Sequence, residues 1–162
     1  MLKIRRAERR DAEAAFAIRL QAIRHQCGTR YTADQVMAWT DVPLTDRYRD
    51  SVEKKYHLVC VNEVPVATGF IDIPGGELGA IFVLPEFMGQ GIGKKLLVHL
   101  EQLARESGLA QVHLEATLNA AAFYRRCGFT GSTEAIHRSP SGLQLACIPM
   151  SKPCSGPYVL GA

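Results

Sequence analysis

The sequence predicts one α/β domain in which helices flank a mixed, mostly antiparallel central sheet. At 162 residues and 47% hydrophobic composition, the chain is long enough for one sizeable core and too short for two comfortable ones. Helical periodicity dominates the first 55 residues, whereas short strand-like segments separated by turn residues dominate from residue 57. A long amphipathic helix between two such strands adds an α/β unit. We therefore expect a single domain over residues 1–152, followed by a C-terminal tail over residues 153–162.

The first third of the chain begins with a strand and continues in helices. Residues 2–6 alternate apolar and basic side chains, which predicts a half-buried strand. Asp11 has the side chain of a helix N-cap, and residues 12–25 carry an apolar face at helical spacing. Thr32 and Gln35 form the pattern of a capping box, which predicts a second, short helix. A third helix is expected in the polar stretch after Pro43, over residues 46–55.

From residue 57 the pattern is that of an antiparallel meander. Residues 57–61 and 64–73 are predicted strands, joined by a hairpin turn at Asn62 and Glu63. Gly69 interrupts the second of them and suggests a β-bulge. After another turn, residues 77–83 are expected to form the central strand.

A glycine-rich turn follows the central strand. Pro85 ends the strand because proline has no N–H for a sheet ladder. Glycines stand at positions 89, 91 and 93, and residues 91–106 then have helical period up to the stop signal at Ser107 and Gly108. The first turn of a helix presents unpaired N–H groups and the positive end of the helix dipole. The pattern therefore predicts a binding site for phosphate or pyrophosphate.

The remaining segments complete the sheet. Residues 111–116 alternate as a strand and can return parallel to the central strand by a right-handed crossover. A short helix follows, for which Asn119 is a candidate cap and Gly128 a candidate end. Residues 129–138 and 143–150 are predicted as a final hairpin.

Composition favours some partners over others. A formal charge of +3 with dispersed cations does not indicate nucleic-acid binding, although it suits an anionic cofactor. Five cysteines without a C-x-x-C pair indicate reduced thiols, and the scattered histidines do not suggest a metal site. The N-terminus lacks the apolar region of a signal peptide, and no segment approaches the ~20 apolar residues of a membrane span. We expect a cytoplasmic protein that binds neither membrane nor metal.

The glycine-rich turn does not match the sequence patterns of two familiar nucleotide-binding loops. The Walker A pattern requires glycine at position 88 and serine or threonine at 95, where this chain has Met88 and Lys95. The Rossmann fingerprint requires glycine at 94 and an acidic residue near 113, where the chain has Lys94 and His113. What remains is a G-x-G turn after a strand that ends in Val-x-Pro.

This turn resembles the acetyl-CoA loop of the GNAT superfamily of N-acetyltransferases. A second stretch, from Asn119 through Phe123 and Tyr124 to Phe129, is similar to the C-terminal signature of the same superfamily. The two motifs stand about 30 residues apart in the expected order, and the resemblance covers roughly residues 57–150. It implies acetyl-CoA as the acyl donor, direct attack by a primary amine in a ternary complex, and a sheet splayed after its fourth strand. Met88 departs from the Arg or Gln of the family and implies weakened binding.

The resemblance also implies roles for individual residues. Tyr124 corresponds to the general acid that protonates the leaving thiolate, and Glu77 to a general base, with Asp72 and Glu115 as rivals. An α-amine acceptor needs little help, so a dedicated base is not required. The residues expected to contact the cofactor are Ile81, Phe82, Val83, Met88, Gly89, Gln90, Gly91, Ile92, Gly93, Lys94, Asn119 and Tyr124.

Several alternatives stay open at this point. The acceptor is a small-molecule amine or a protein amine, and a homodimer is compatible with the sequence. Tyr31, Trp39, Arg47 and Tyr48 lie in the helical third, where they select the acceptor or merely cover the sheet. The other function class is a non-catalytic module that binds acyl-CoA as a sensor.

Overall fold

A computed structural model describes residues 1–154, which form a seven-stranded sheet with helices on both faces. The strands are β1 (Leu2–Arg6), β2 (Tyr56–Val61), β3 (Val64–Asp72), β4 (Glu77–Val83), β5 (Gln111–Thr117), β6 (Ala135–Arg138) and β7 (Gln144–Pro153). The α-helices are α1 (Ala12–Gln26), α2 (Ala33–Thr40), α3 (Asp46–Lys55), α4 (Ile92–Glu106) and α5 (Ala121–Arg126). Within these residues, no helix combines the length and the apolarity that crossing a membrane requires.

The strand order is β1-β2-β3-β4-β5-β7-β6. Strands β1 to β4 form an antiparallel meander, and β7 pairs antiparallel with both β5 and β6. Only β4 and β5 are parallel among the described strands, since α4 carries the chain across the sheet between them. The predicted mixed, mostly antiparallel sheet is confirmed.

The sheet is splayed between β4 and β5, as the sequence resemblance implied. The two strands register at one pair, Glu77 with His113, and the His113 N–H donates to the Gly76 carbonyl at 3.0 Å. Beyond that pair, β4 continues along β3 while β5 continues along β7. A gap therefore opens between the two central strands, from Glu77 at its closed end toward Val83 at its open end.

Two cores form on the two faces of the sheet. The apolar face of α4 is buried against one face, and its members are Ile92, Leu96, Leu97, Leu100 and Ala104. Helices α1 and α3 cover the other face, where Ala15 and Val52 pack with Leu58 and Cys60 of β2. Alternate residues of β2 thus face different cores, as the period of a strand requires.

The start of α1 differs from the prediction. Asp11 has helical backbone angles and its side chain makes no cap hydrogen bond to the helix. Its carboxylate accepts instead from the Glu8 N–H at 2.7 Å and from the Arg5 guanidinium at 2.8 Å. These bonds close a 3₁₀ turn over Arg9–Asp11 and lower the pKa of Asp11, chiefly through Arg5. The capping box of Thr32 and Gln35 is confirmed at the start of α2, with both reciprocal bonds present.

The β-bulge lies opposite its predicted position. Between Thr68 and Phe70 the pairing of β3 advances by two residues, whereas β4 advances by three from Phe82 to Gly79. The extra residue is therefore on β4, where Ala80 has a left-handed φ of 51°. Gly69 has another role. A Cβ there would lie 2.7 Å from the Ile81 side chain, within a space that α4 also closes.

The predicted strand over residues 129–138 is shorter in the structure. Its first part makes one bridge, from Thr130 to Ser151, and regular pairing begins only at Ala135. Gly131 separates the two parts with a φ of 146° and lies against the Pro149 carbonyl. At the other end, β7 reaches Pro153, and residues 155–162 of the predicted tail lie outside the described residues.

A half-buried histidine pair links the sheet to α4. His57 on β2 lies with its ring centroid 5.3 Å from that of His99, and its Nδ1 is buried without a hydrogen-bond partner in residues 1–154. Burial, with the neighbouring charges of His99 and Arg6, lowers the pKa of His57 to about 4. Burial also lowers the pKa of His99. An unfolded histidine titrates near 6.5.

We expect the protein to lose stability as the pH falls from about 6.5 to about 4. In this window His57 binds a proton in the unfolded chain but stays neutral in the folded protein. Protonation therefore favours unfolding. Because the ring is only partly buried, we expect a contribution of about 1–2 kcal/mol. Urea unfolding at a series of pH values should show a flatter acid limb for His57→Leu. His25→Leu, at an exposed position of α1, should keep the parent slope. An unchanged slope in His57→Leu would contradict the assignment.

Candidate functional site

A cleft of about 690 Å³ opens where β4 ends and α4 begins, and we call it the α4 cleft. Its walls are the glycine-rich turn, the first turn of α4 and the short helix α5. The residues that line it are Gln26, Ile81, Val83, Phe87, Met88, Gly89, Gly91, Ile92, Gly93, Lys94, Asn119, Ala120, Ala122, Phe123, Tyr124, Arg126 and Cys127. The two sequence motifs therefore lie on opposite walls of one cleft.

Ten of the twelve residues predicted from the motifs to contact a cofactor line this cleft. Phe82 does not, because side chains alternate along a strand and its side chain lines a cleft on the other face of the sheet. The side chain of Gln90 donates to the Glu86 carbonyl at 3.4 Å and is exposed. Sequence reasoning missed Arg126, whose spacing of four from Ala122 indicates a shared helix face.

Three glycines at the start of α4, Gly89, Gly91 and Gly93, leave the backbone accessible to a ligand in the cleft. Gly91 is the N-cap with a φ of 79°, and no described side chain caps this helix. The first intrahelical bond of the series runs from the Lys95 N–H to the Gly91 carbonyl, so the N–H groups before it have no partner in the helix. A Cβ on Gly89 or Gly91 would meet nothing within 4 Å. Lys94 and Arg126 are exposed at the rim and add positive charge, which suits a polyanionic ligand.

A second cleft of about 240 Å³ lies on the opposite face of the sheet, and we call it the α1 cleft. Helices α1, α2 and α5 and strands β3, β4, β5, β6 and β7 contribute to it. The polar and charged residues that line it are Arg19, Tyr31, Glu77, Glu115, Thr117, His137 and Cys147.

The two clefts meet in the gap between β4 and β5. Ile81, Ala120 and Tyr124 line both of them. A ligand in the α4 cleft can therefore contact a ligand in the α1 cleft through the sheet, beside the Tyr124 side chain.

Tyr124 is held firmly at this junction. Only 6% of its surface is exposed, and its ring makes edge contacts with Phe123 and Phe129 at centroid distances of 5.2 and 5.7 Å. The Phe129 N–H donates to the Tyr124 carbonyl at 3.0 Å, and Gly128, with a φ of 95°, ends α5 as predicted. Burial raises the pKa of Tyr124 above its ordinary range, so the hydroxyl keeps its proton at neutral pH.

Asn119 does not cap α5, contrary to the prediction. The N-cap position is Ala120, without a side-chain bond, because a turn from Thr117 places Asn119 one residue too early. The Asn119 side chain lies against the Cys27 thiol, and its Oδ1 is buried with no partner in the described part of the chain. A buried, unsatisfied amide oxygen is costly, and a ligand donor in the α4 cleft would satisfy it.

The three candidate bases occupy different places. Glu77 is the first residue of β4, at the closed end of the gap, and lines the α1 cleft. Glu115 lines the same cleft, where it faces His137 at 3.3 Å and accepts from the Cys147 thiol at 3.3 Å. Asp72 ends β3 beside the turn at Gly75 and lines neither cleft.

The thiols beside the site are protonated. Burial, helped by Glu115, raises the pKa of the Cys147 thiol in the α1 cleft to about 11. Burial also raises the pKa of Cys127 in the α4 cleft and that of Cys27, the latter to about 11. Because the thiolate is the nucleophilic form, these cysteines are poor nucleophiles at neutral pH.

Two of the four acceptor-side residues predicted in the first third of the chain line the α1 cleft. Tyr31 and Trp39 line the α1 cleft with their rings 5.4 Å apart, whereas Tyr48 packs beside Phe16 in the core and Arg47 lines neither cleft. The Tyr31 hydroxyl donates to the Ala146 carbonyl at 2.6 Å and accepts from the Leu118 N–H at 3.0 Å. Tyr31 thus ties β7 to the end of β5.

Sequence reasoning also missed Arg19, which enters the α1 cleft from α1. The signal was a charged residue inside an apolar stripe. Phe16 lies three positions before Arg19, and Ile23 lies four positions after it.

Comparison with known sequences gives a family and a relative. A model of the acetyltransferase (GNAT) family matches residues 20–129. The peptidyl-lysine N-acetyltransferase YjaB of Salmonella typhimurium is 30% identical over 136 residues, which cover 83% of this chain and 88% of YjaB.

Comparison with solved structures gives the same fold. A GCN5-related N-acetyltransferase from Rhodopseudomonas palustris has a TM-score of 0.85 at 23% identity, covering 93% of this chain and 94% of that one. The PaiA N-acetyltransferase of Thermoplasma acidophilum, solved in complex with coenzyme A, has a TM-score of 0.73 at 16% identity, covering 94% and 99%.

Proposed function

This chain belongs to the GNAT family of acetyltransferases, and we propose that it acetylates a primary amine of a small molecule or a protein, with acetyl-CoA as the acetyl donor. In the proposed reaction the amine attacks the thioester directly in a ternary complex. The observation that carries the proposal is the meeting of two clefts at Tyr124, which lets donor and acceptor approach from opposite faces of the sheet.

Acetyl-CoA is proposed to occupy the α4 cleft. Its pyrophosphate would accept from the unpaired N–H groups at the start of α4, with Lys94 and Arg126 near its negative charge. The pantetheine arm would pair with the free edge of β4 at residues 81–83, which the splay separates from β5. Because these contacts are made by the backbone, Met88 in place of the family's Arg or Gln weakens binding without abolishing it.

Tyr124 is the proposed general acid. As the amine nitrogen forms its bond to the carbonyl carbon, the carbon–sulfur bond breaks and the Tyr124 hydroxyl gives its proton to the departing sulfur. The proton released by the attacking amine restores the hydroxyl by way of solvent. The Tyr124 hydroxyl is protonated at neutral pH, which is the form that a proton donor requires.

Glu77 is the proposed base, acting through water. It stands four residues before Ile81, which corresponds to at most roughly 13 Å along β4, since the bulge at Ala80 shortens the strand. That distance exceeds direct contact with an amine at the junction, so one or more waters in the α1 cleft would carry the proton. Glu115 shares the cleft but is engaged by His137 and Cys147, which favours Glu77.

The state of the thiols supports direct attack over an acetyl-cysteine intermediate. A covalent route requires a thiolate near the thioester carbon. Cys127 and Cys147 are the thiols that line the clefts, and the raised pKa of each disfavours that form.

The proposal predicts stabilisation by the cofactor. Acetyl-CoA at 100 times its dissociation constant should add about 2.7 kcal/mol, or a rise in Tm of roughly 5–10 °C. ATP and NAD should shift Tm little, because the turn fits neither the Walker A nor the Rossmann pattern. Thermal unfolding with each ligand, followed by thiol release with a panel of amines, measures both binding and transfer. Equal stabilisation by ATP, or none by acetyl-CoA, would contradict the proposal.

A further inference from the structure

Arg19 is a half-buried cation with a buried, unpaired nitrogen. Its Nη1 atom is inaccessible to solvent and has no hydrogen-bond partner within residues 1–154. Its neighbour on α1 is the ring of Phe16, with 6.0 Å between the guanidinium carbon and the ring centroid. Burial lowers the pKa of Arg19 from its ordinary value, yet arginine remains charged at neutral pH. A buried guanidinium nitrogen without a hydrogen-bond acceptor is unfavourable, so an anion beside it would stabilise the protein.

A second polar side chain lies near Arg19 in the core and does not line the α1 cleft. The Tyr48 hydroxyl, close to Tyr56, is also buried without a hydrogen-bond partner of good geometry in the described residues. Burial raises the pKa of Tyr48, which keeps this hydroxyl protonated. Tyr48 and Tyr56 lie close enough to Arg19 to oppose the lowering of its pKa by burial. A carboxylate accepts hydrogen bonds with both oxygens and matches the planar guanidinium, so it suits this end of the site.

Besides the positively charged Arg19, the α1 cleft contains negatively charged side chains. Glu77 and Glu115 line it together with Arg19, and Glu77 makes no ion pair within the described part of the chain. A ligand with an amine and a carboxylate would place its amine toward the glutamates and the junction, and its carboxylate toward Arg19. The cleft is thus complementary to a zwitterion.

The size of the cleft restricts the ligand further. At about 240 Å³ it lies below the usual range for drug-sized ligands, about 300–1,000 Å³. Tyr31 and Trp39 form an apolar wall on the side of α2. A single small molecule fits such a space.

We infer that the acceptor is a free amino acid or a similarly small amino-carboxylate, whose carboxylate is bound by Arg19. This inference rests on the proposed acetyl transfer and names the acceptor of the same site. A lysine within a peptide chain is the competing acceptor, because it brings an amine on an uncharged stem and leaves Arg19 unpaired.

The test compares acceptors that differ only in the carboxylate. Each amino acid in a panel is assayed beside its carboxamide, which keeps the amine and removes the negative charge, and beside a lysine peptide blocked at both ends. With saturating acetyl-CoA, we expect kcat/KM to favour the amino acid by about 10- to 100-fold, the effect of a charge-assisted hydrogen bond. Most of the difference should appear in KM, since the carboxylate is bound before and during the reaction.

Substitution of Arg19 gives the second arm. Arg19→Gln should lower kcat/KM for the amino acid by the same factor and leave the carboxamide unchanged, while Arg19→Lys should keep part of the preference. Arg24→Gln is the matched control, because Arg24 is an exposed arginine on the same helix and lines neither cleft. The Tm of Arg19→Gln should not fall, because the change removes the buried, unpaired guanidinium nitrogen.

The inference is overturned by equal kcat/KM for acid and carboxamide, by an equal loss of both in Arg19→Gln, or by the blocked lysine peptide as the best acceptor. Binding of acetyl-CoA, measured by calorimetry, separates this result from failure of the proposed function. A protein that binds no acetyl-CoA and acetylates no amine would refute the acetyltransferase proposal itself, and the choice of acceptor with it.

Discussion

Replacement of Tyr124 by phenylalanine is expected to lower kcat by about 10²–10⁴-fold, the usual contribution of a positioned acid or base. The substitution removes one hydroxyl at the junction of the two clefts. The ring contacts with Phe123 and Phe129 remain, so fold and cofactor binding should survive. KM for acetyl-CoA should change little, because protonation of the leaving thiolate occurs in the transition state. Steady-state kinetics on an acceptor for which chemistry is rate-limiting measures the effect.

Tyr31→Phe provides the contrast. The Tyr31 hydroxyl makes two hydrogen bonds that join β7 to the end of β5, so its removal should lower Tm. Tyr124→Phe should instead lower kcat and leave Tm close to its parent value. Full activity of Tyr124→Phe, with normal melting, would end the assignment of Tyr124 as the acid.

Gly93→Val should weaken acetyl-CoA binding by about 100-fold, through loss of two charge-assisted hydrogen bonds to the pyrophosphate. A Cβ on Gly93 would lie 3.7 Å from both Phe123 and Val83, so the valine methyl groups enter the α4 cleft where the ligand must approach the backbone. Gly93 lies inside α4, where valine meets no left-handed backbone angle. Gly91→Val is a less specific change, because the φ of 79° at Gly91 strains any side chain there.

Calorimetry with acetyl-CoA measures the loss, with Gly28→Val as the matched control. Gly28 has open space around its Cβ position, lacks a left-handed φ and lies outside both clefts. Its variant should bind acetyl-CoA with the parent affinity. If Gly93→Val did so too, the pyrophosphate site would have to lie elsewhere.

The order and type of the elements were largely predictable, because their signals are local. The meander and the crossover through α4 follow from strand periods and turn residues, whereas the splay was implied by the resemblance of the two motifs to the GNAT superfamily. The errors arose where tertiary contacts decide. Gly69 suggested a bulge on β3, yet the glycine is required by close packing with Ile81 and α4, and the extra residue is Ala80, which has no sequence signal. Asp11 was predicted to cap α1, but its carboxylate instead accepts a hydrogen bond from Arg5, six residues earlier.

The two clefts differ in predictability for a related reason. Apart from Gln26, the α4 cleft is built from two short stretches, 81–94 and 119–127, so motifs within each stretch identify most of its lining. The α1 cleft takes residues from eight separate helices and strands, and no local pattern joins Arg19 to Glu77 or Glu115. Only the fold brings these charges together.

In the proposed reaction, the sheet separates the residues that contact the acceptor from those that contact the donor. Apart from Ile81, Ala120 and Tyr124, the residues that line the α1 cleft differ from those that line the α4 cleft. Substitutions in α1, α2 or β7 can therefore alter the choice of amine while the glycine turn and α4 keep the same donor. An experimenter who wishes to redirect this enzyme should diversify positions such as Arg19, Trp39 and Leu145, and leave the opposite face of the sheet untouched.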